Sequence, residues 1–149
     1  MKVCLISSSG GHFSQLKEIA NSFPEKDVAI ISEKIPDTSN DSINYYLKQQ
    51  DRKRRDFLLI LIFNLIKSFY LFLKINPDYV ISTGAGSVLP FLIIAKFFKK
   101  KIIFLESYSK TTSPTVTGKI VYRFADRFYV QWETMLKVYP KAIYKGGIY

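Results

Sequence analysis

The sequence predicts an α/β protein, a Rossmann-like doubly wound parallel sheet of about six strands. Short apolar runs of strand length alternate with segments of helical period along the chain. Two of those runs break into glycine turns that open helices, the opening of a nucleotide-binding-type βα unit. The 149 residues are 48% apolar and 15% aromatic, enough for one domain (1–149) with a sizeable core.

The first unit is Lys2–His12, KVCLISSSGGH. Val3–Ile6 has the length of a buried strand and stops at Ser7-Ser8-Ser9-Gly10-Gly11. Phe13, Leu16, Ile19 and Ala20 then recur at helical spacing, with Gln15, Lys17 and Glu18 on the opposite face. Two glycines allow a tight turn, and the helix start presents free N–H groups to an anion. Without a full G-x-G-x-x-G the turn is equally compatible with a plain βα connection.

Ser22-Phe23-Pro24 ends the helix, and Val28–Ile31 reads as a second buried strand. Ser32–Ser42 is polar and rich in turn formers, hence a loop, at a strand end where binding residues tend to lie.

Residues 52–75 carry the strongest compositional contrast. Arg52, Lys53, Arg54 and Arg55 precede Phe57–Leu73, which is almost wholly apolar. As a helix that stretch spans roughly 25 Å, short of a bilayer core of about 30 Å. Asn64, Lys67 and Ser68 share one face, extended by Lys74. A greasy helix with a narrow polar stripe suits packing on its own sheet with lipid contact at the interface better than a span. The basic cluster would meet anionic headgroups at about 1 kcal/mol per residue. Phe57, Leu58, Ile62 and Phe69 are the expected apolar contacts.

Asn76-Pro77 stops this helix. Tyr79–Ile81 starts a third strand that ends in Ser82-Thr83-Gly84-Ala85-Gly86-Ser87, followed by the apolar helix Val88–Phe98. Lys99–Lys101 suits a helix C-terminus, Ile102–Leu105 is a fourth strand, and Glu106 follows it. Beyond the polar loop Ser107–Thr117, a short helix is expected at Gly118–Phe124 and a strand at Phe128–Val130. A further helix at Glu133–Val138 and a strand at Ala142–Tyr144 complete the pattern.

A net charge of +10 calls for an anionic partner: a phosphorylated substrate, an anionic membrane or nucleic acid. Much of the aromatic content falls inside apolar helices and strands, and no RNA-binding motif is present, so nucleic acid is not expected. The one cysteine, Cys4, sits in a predicted core strand, which fits a reducing compartment. With one histidine and one cysteine no zinc site is expected, and no signal peptide is read at the N-terminus.

The notable polar residues, His12, Ser82–Ser87, Glu106 and Ser107, fall at predicted strand ends and would face one crevice. No Walker lysine pattern, G-x-S-x-G elbow or catalytic triad is present. His12 and Glu106 are the candidate catalytic bases. A histidine after two glycines is equally a helix-start residue satisfied by backbone, and a glutamate at a strand end is equally a capping residue. Ser9, Gly10, Gly11, Gly84, Gly86, Ser87 and Ser107 are the candidate acceptor- or phosphate-binding positions.

Ser7–His12 resembles the glycine-rich first loop of GT-B glycosyltransferases that act on lipid-linked acceptors. The run Phe104–Trp132, FLESYSKTTSPTVTGKIVYRFADRFYVQW, together with Gly84–Ser87, is similar to the membrane-associated subunit of split glycosyltransferases. These are the Alg-fourteen-like and PssD/EpsE-type oligosaccharide and capsular polysaccharide biosynthesis proteins. The strongest marks are Glu106-Ser107, Thr117-Gly118-Lys119, Ala125-Asp126 and Val130-Gln131-Trp132.

The resemblance implies the N-terminal, acceptor-side half of a GT-B enzyme, with a separate subunit binding most of the UDP-sugar. It implies sugar transfer to a polyprenyl-diphosphate-linked saccharide in capsule or exopolysaccharide synthesis, at the cytoplasmic face of the cell membrane. No cofactor or metal beyond the partner-bound UDP-sugar is expected, and little or no activity from the chain alone. Trp132, Gly146, Gly147, Ile148 and Tyr149 are the implied partner contacts. The alternatives are a non-catalytic protein that recruits a partner glycosyltransferase and, ranked below it, a basic nucleic-acid-binding domain.

Overall fold

The computed structural model describes residues 1–34, 42–51 and 53–149. Its sheet has seven parallel strands in the order β3-β2-β1-β4-β5-β6-β7. They are β1 (Val3–Ser7), β2 (Val28–Lys34), β3 (Tyr45–Lys48), β4 (Tyr79–Gly84), β5 (Lys101–Leu105), β6 (Arg127–Val130) and β7 (Ile143–Tyr144). The main helices are α1 (Gly11–Ala20), α2 (Phe57–Ile75), α3 (Leu89–Phe97) and α4 (Val116–Val121).

Alternation along β1 divides the core. Val3 and Leu5 pack with Leu16, Phe13 and Ile19 of α1 on one face of the sheet. Cys4 and Ile6 point the other way, into a larger cluster with Leu71 and Phe72 of α2, Phe91 and Leu92 of α3 and Val121 of α4. Strand order reverses about β1, so the crevice lies where β1 and β4 diverge, outside their carboxyl ends. There the register slips by one residue: Ile6 pairs with Ser82, but Ser7 pairs with Gly84.

Three expectations need correction. The sheet has a seventh strand, β3, that the apolar pattern misses, because only Leu47 of its four residues is buried. Asn44 starts it by a side-chain route: Asn44 Oδ1 accepts the Ile30 N–H at 2.7 Å while Asn44 N donates to Ile30 O at 3.0 Å. Second, β2 runs on through Ser32 and Glu33 to Lys34, so the predicted Ser32–Ser42 loop begins as strand; residues 35–41 lie outside those described. Third, Glu133–Lys137 is a 3-10 turn and α4 starts two residues earlier than expected.

The polarity of α2 is inverted relative to a soluble surface helix. Asn64 and Ser68 are both 0% exposed, whereas Leu59 is 71% and Ile66 66% exposed. The burial of Asn64 is compensated: Oδ1 accepts the Lys48 N–H at 3.0 Å and Nδ2 donates to Lys48 O at 2.9 Å. The side chain thus completes the hydrogen bonding of the edge strand β3, as a further strand would. Asn76 ends the helix in the left-handed region (φ 44) with its N–H on Phe72 O at 2.8 Å, and Pro77 follows.

Candidate functional site

The crevice is built by two glycine turns held against each other. Ser8 N donates to Gly84 O at 2.7 Å, tying the turn after β1 to the end of β4. Gly10 takes φ 73 as the residue before α1, and no side chain caps the first N–H groups of that helix.

His12 stands in that first turn. Its Nδ1 lies 2.6 Å from Thr83 O, and Thr83 Oγ1 donates back to His12 O at 2.7 Å. A carbonyl oxygen only accepts, so Nδ1 carries the proton. In the neutral ring Nε2 then keeps its lone pair, and no group among the described residues bonds it. This is the arrangement of a positioned general base. Gly84 holds φ 101, and a Cβ there would lie 3.2 Å from His12 Cε1, so this glycine is the floor on which the imidazole rests.

The surroundings of Glu106 are those of the capping alternative. The residue is 1% exposed, and its carboxylate accepts from Ser107 N (2.9 Å), Thr115 N (3.2 Å), Thr115 Oγ1 (2.9 Å) and Tyr139 Oη (2.7 Å). Thr115 Oγ1 in turn accepts the Gly118 N–H at 2.8 Å, capping α4. A Cβ on Gly118 would collide with Glu106 Oε2 and stand 2.7 Å from Tyr139 Oη, which accounts for glycine inside a helix. A carboxylate enclosed by four donor groups has no access to an acceptor hydroxyl. It positions the β5–α4 loop, and the catalytic role proposed below rests on His12 alone. Burial first, and then the bond to Glu106, push the Tyr139 phenol above its ordinary range, so it stays protonated as a donor.

Glu106→Gln replaces one acceptor oxygen by a donor that faces Tyr139 or Thr115. The expected cost is about 2–4 kcal/mol, read as a fall in urea midpoint, and Tyr139→Phe should cost about 1–2 kcal/mol. An unchanged midpoint in Glu106→Gln would show that the carboxylate is not structural.

Sequence reasoning missed Glu33, which it placed in a loop. From the end of β2 its Oε2 accepts from Ser9 Oγ at 3.2 Å and Oε1 lies 3.4 Å from Gln50 N. It thereby joins the first glycine turn to the segment after β3. Gln131 was noted only within a motif, yet its Nε2 donates to Glu106 O (2.9 Å) and to Gln15 Oε1 (3.2 Å). Its own Oε1 accepts the Ile148 N–H at 3.1 Å.

Ser9, Gly10, Gly11, Gly84, Gly86 and Ser87 belong to the two turns, with Ser87 buried and Gly10 and Gly11 exposed. Ser107 lies beyond β5, with Oγ 3.0 Å from Ser109 Oγ. Trp132 donates its indole N–H to Tyr108 O at 2.7 Å, and Tyr108 also packs edge-on to Tyr149 and against Gly147. The implied partner contacts therefore form one aromatic corner. Lys53, Arg54, Arg55, Leu58, Ile62 and Phe69 are exposed and Phe57 is half-buried; Arg52 lies outside the described residues. Beside this margin stand Lys34, Lys48 and Lys67. Burial and then the charges of Lys34 and Lys48 hold the Lys67 ammonium below its usual range. A recess of about 640 Å³ lies at the opposite, amino-terminal ends of β6 and β7, lined by Arg127 and Ile143, away from these groups.

A parallel sheet with two apposed glycine turns at its switch point defines a Rossmann-like half of the GT-B kind. Solved structures agree on the fold. MurG of Acinetobacter baumannii superposes with a TM-score of 0.69 at 13% identity, over 90% of this chain and 43% of that one. A UDP-N-acetylglucosamine 2-epimerase from Rickettsia bellii gives 0.74 at 15%, over 99% and 45%. The chain thus spans less than half the length of either.

Residues 56–148 match the family model "Oligosaccharide biosynthesis protein Alg14 like", and the chain belongs to that family. Relatives named UDP-N-acetylglucosamine transferase subunit ALG14 are 26% identical in Mus musculus and 25% in Homo sapiens. Each alignment covers 99% of this chain and 83% of the relative.

Proposed function

We propose that this chain is the acceptor-side, membrane-associated subunit of a two-component glycosyltransferase. With a separate donor-binding subunit it transfers a sugar from a UDP-sugar to a polyprenyl-diphosphate-linked saccharide, in capsule or exopolysaccharide synthesis. The observation that carries this reading is the outward apolar face of α2 set on the same molecule as a crevice with a free imidazole nitrogen. Family membership and the names of the ALG14 relatives support the subunit role and make UDP-N-acetylglucosamine the first donor to test. The protein lies on the cytoplasmic face of the membrane, with Lys53, Arg54, Arg55 and the lysines near β3 toward anionic headgroups.

In this mechanism His12 Nε2 takes the proton of the acceptor hydroxyl as that oxygen attacks the anomeric carbon, and UDP leaves on the partner subunit. The Nδ1–H bond to Thr83 O fixes the tautomer and steadies the imidazolium that forms. The N–H groups at the start of α1 and the second glycine turn accept the acceptor's diphosphate. The partner docks at the corner of Trp132, Tyr108 and Tyr149.

Reconstitution tests the reading. Vesicles carrying this chain, its candidate partner or both receive a lipid-linked acceptor and labelled UDP-sugars. Label should enter lipid at least 100-fold faster with both proteins than with either alone, and no synergy with any sugar would overturn the assignment. The enclosure of Glu106 leaves one specific competitor, a subunit that recruits its partner without supplying a base.

A further inference from the structure

An apolar groove of about 350 Å³, within the size range of small-molecule sites, runs between α2, α3 and α4 and reaches the second glycine turn at Gly86. Leu61 and Leu65 of α2 line it on one side, with Ile93 of α3 and Ile120 of α4 on the others. Leu65, Ile93 and Ile120 are exposed along its rim, so the groove opens onto the same apolar surface that α2 turns outward. The inner end changes character. It is closed by Gln50 and by Gly86, two residues beyond the glycine that supports His12. Gln50 Oε1 is buried without a hydrogen-bond partner, as is Oγ of the neighbouring Ser87, which is 1% exposed. Unsatisfied buried oxygens cost free energy and await a donor or an ordered water.

A helix face resting on lipid needs no groove, and a wholly polar acceptor gains nothing from this one. An apolar groove that opens on the outward apolar surface and reaches the second glycine turn, with unpaired polar atoms only at its inner end, fits an amphiphile whose head reacts and whose tail leaves toward the bilayer. We infer that the groove between α2, α3 and α4 holds the isoprene units next to the diphosphate of the acceptor. Gln50 and Ser87 then mark where hydrocarbon gives way to the head group. The inference rests on the acceptor class proposed above and adds the site that reads its lipid. Recognition there makes affinity depend on how much of the groove the chain fills and dries.

The test uses the reconstituted two-subunit enzyme in detergent, with acceptors that share one head group and differ only in lipid. KM should fall at least tenfold from a five-carbon to a twenty-carbon isonprenoid-type chain and level off beyond the groove's capacity. Ile93→Trp, which adds bulk at the rim and narrows the groove, should reduce the preference for the long chain over the short one about tenfold. Equal KM values for both chains, or an unaltered preference in Ile93→Trp, would overturn the inference. A second measurement does not depend on turnover: an isoprenyl diphosphate with a terminal benzophenone is photolysed with the chain on phosphatidylcholine vesicles. Label mapped to α2, α3 or α4, and lowered at least fivefold in Ile93→Trp, supports the groove even if no sugar transfer is ever observed. Label elsewhere, or displacement by phosphatidylglycerol as readily as by unlabelled isoprenyl diphosphate, assigns the groove to phospholipid acyl chains and refutes it.

Discussion

His12→Ala is expected to lower turnover by the two-subunit enzyme 10²–10⁴-fold, the usual contribution of a positioned general base. KM for the UDP-sugar should stay within about threefold, since the proposed mechanism gives the donor to the partner. The alanine variant alone does not separate base from brace, since it also deletes the bond to Thr83 O. His12→Asn does so. An asparagine Nδ2 can occupy the place of Nδ1 and keep that bond, but nothing in the asparagine replaces Nε2. If His12 is the base, Asn and Ala are equally inactive while Asn restores the thermal midpoint. If the ring only ties α1 to β4, Asn restores turnover as well. Full activity in both variants would support a recruiting subunit, with the base supplied by the partner.

The central part of this fold is legible in the sequence because its strands are buried on both faces. VCLI, VAII, YVI and IIFL carry no polar side chain other than the Tyr79 hydroxyl, and each is followed by a serine or a glutamate. The edge at β3 is not legible for the complementary reason. Only Leu47 of β3 enters the core, and the strand is specified by Asn44 and Asn64, whose side chains supply hydrogen bonds that leave no apolar pattern. Missing β3 also hid Glu33, since a strand extended by Ser32-Glu33-Lys34 reads as loop until its pairing partner is known. At the site, the position of His12 after two glycines pointed to the crevice, whereas its free Nε2 depends on a bond to a residue 71 positions away. Glu106 shows the opposite limit. A carboxylate at a strand end looks the same in sequence whether it meets substrate or is enclosed by Thr115, Ser107 and Tyr139.

Leu59→Glu/Ile66→Glu is expected to weaken binding to anionic vesicles 100-fold or more while leaving the thermal midpoint within about 2 °C. Both positions are turned away from the sheet, so neither carboxylate enters the core and folding has no reason to suffer. For lipid contact the effect is large. Full transfer of a Leu or Ile side chain from water to an apolar phase is worth about 1.5–3 kcal/mol, and a charge in its place adds a desolvation cost. Two such changes exceed the roughly 2.7 kcal/mol that corresponds to 100-fold. Lys53, Arg54 and Arg55 changed together to Gln should cost less and only on vesicles containing anionic lipid, with the loss fading as salt rises. The comparison that decides the orientation of α2 is Asn64→Leu. As a span in lipid, the helix would gain from losing its amide. Packed as observed, Asn64 is what satisfies both backbone groups of Lys48, and its replacement strands them. Asn64→Leu should therefore destabilise the fold by about 1–3 kcal/mol without strengthening vesicle binding. Tighter binding with unchanged stability would mean that the polar stripe faces the membrane and that the apolar face is covered by another surface.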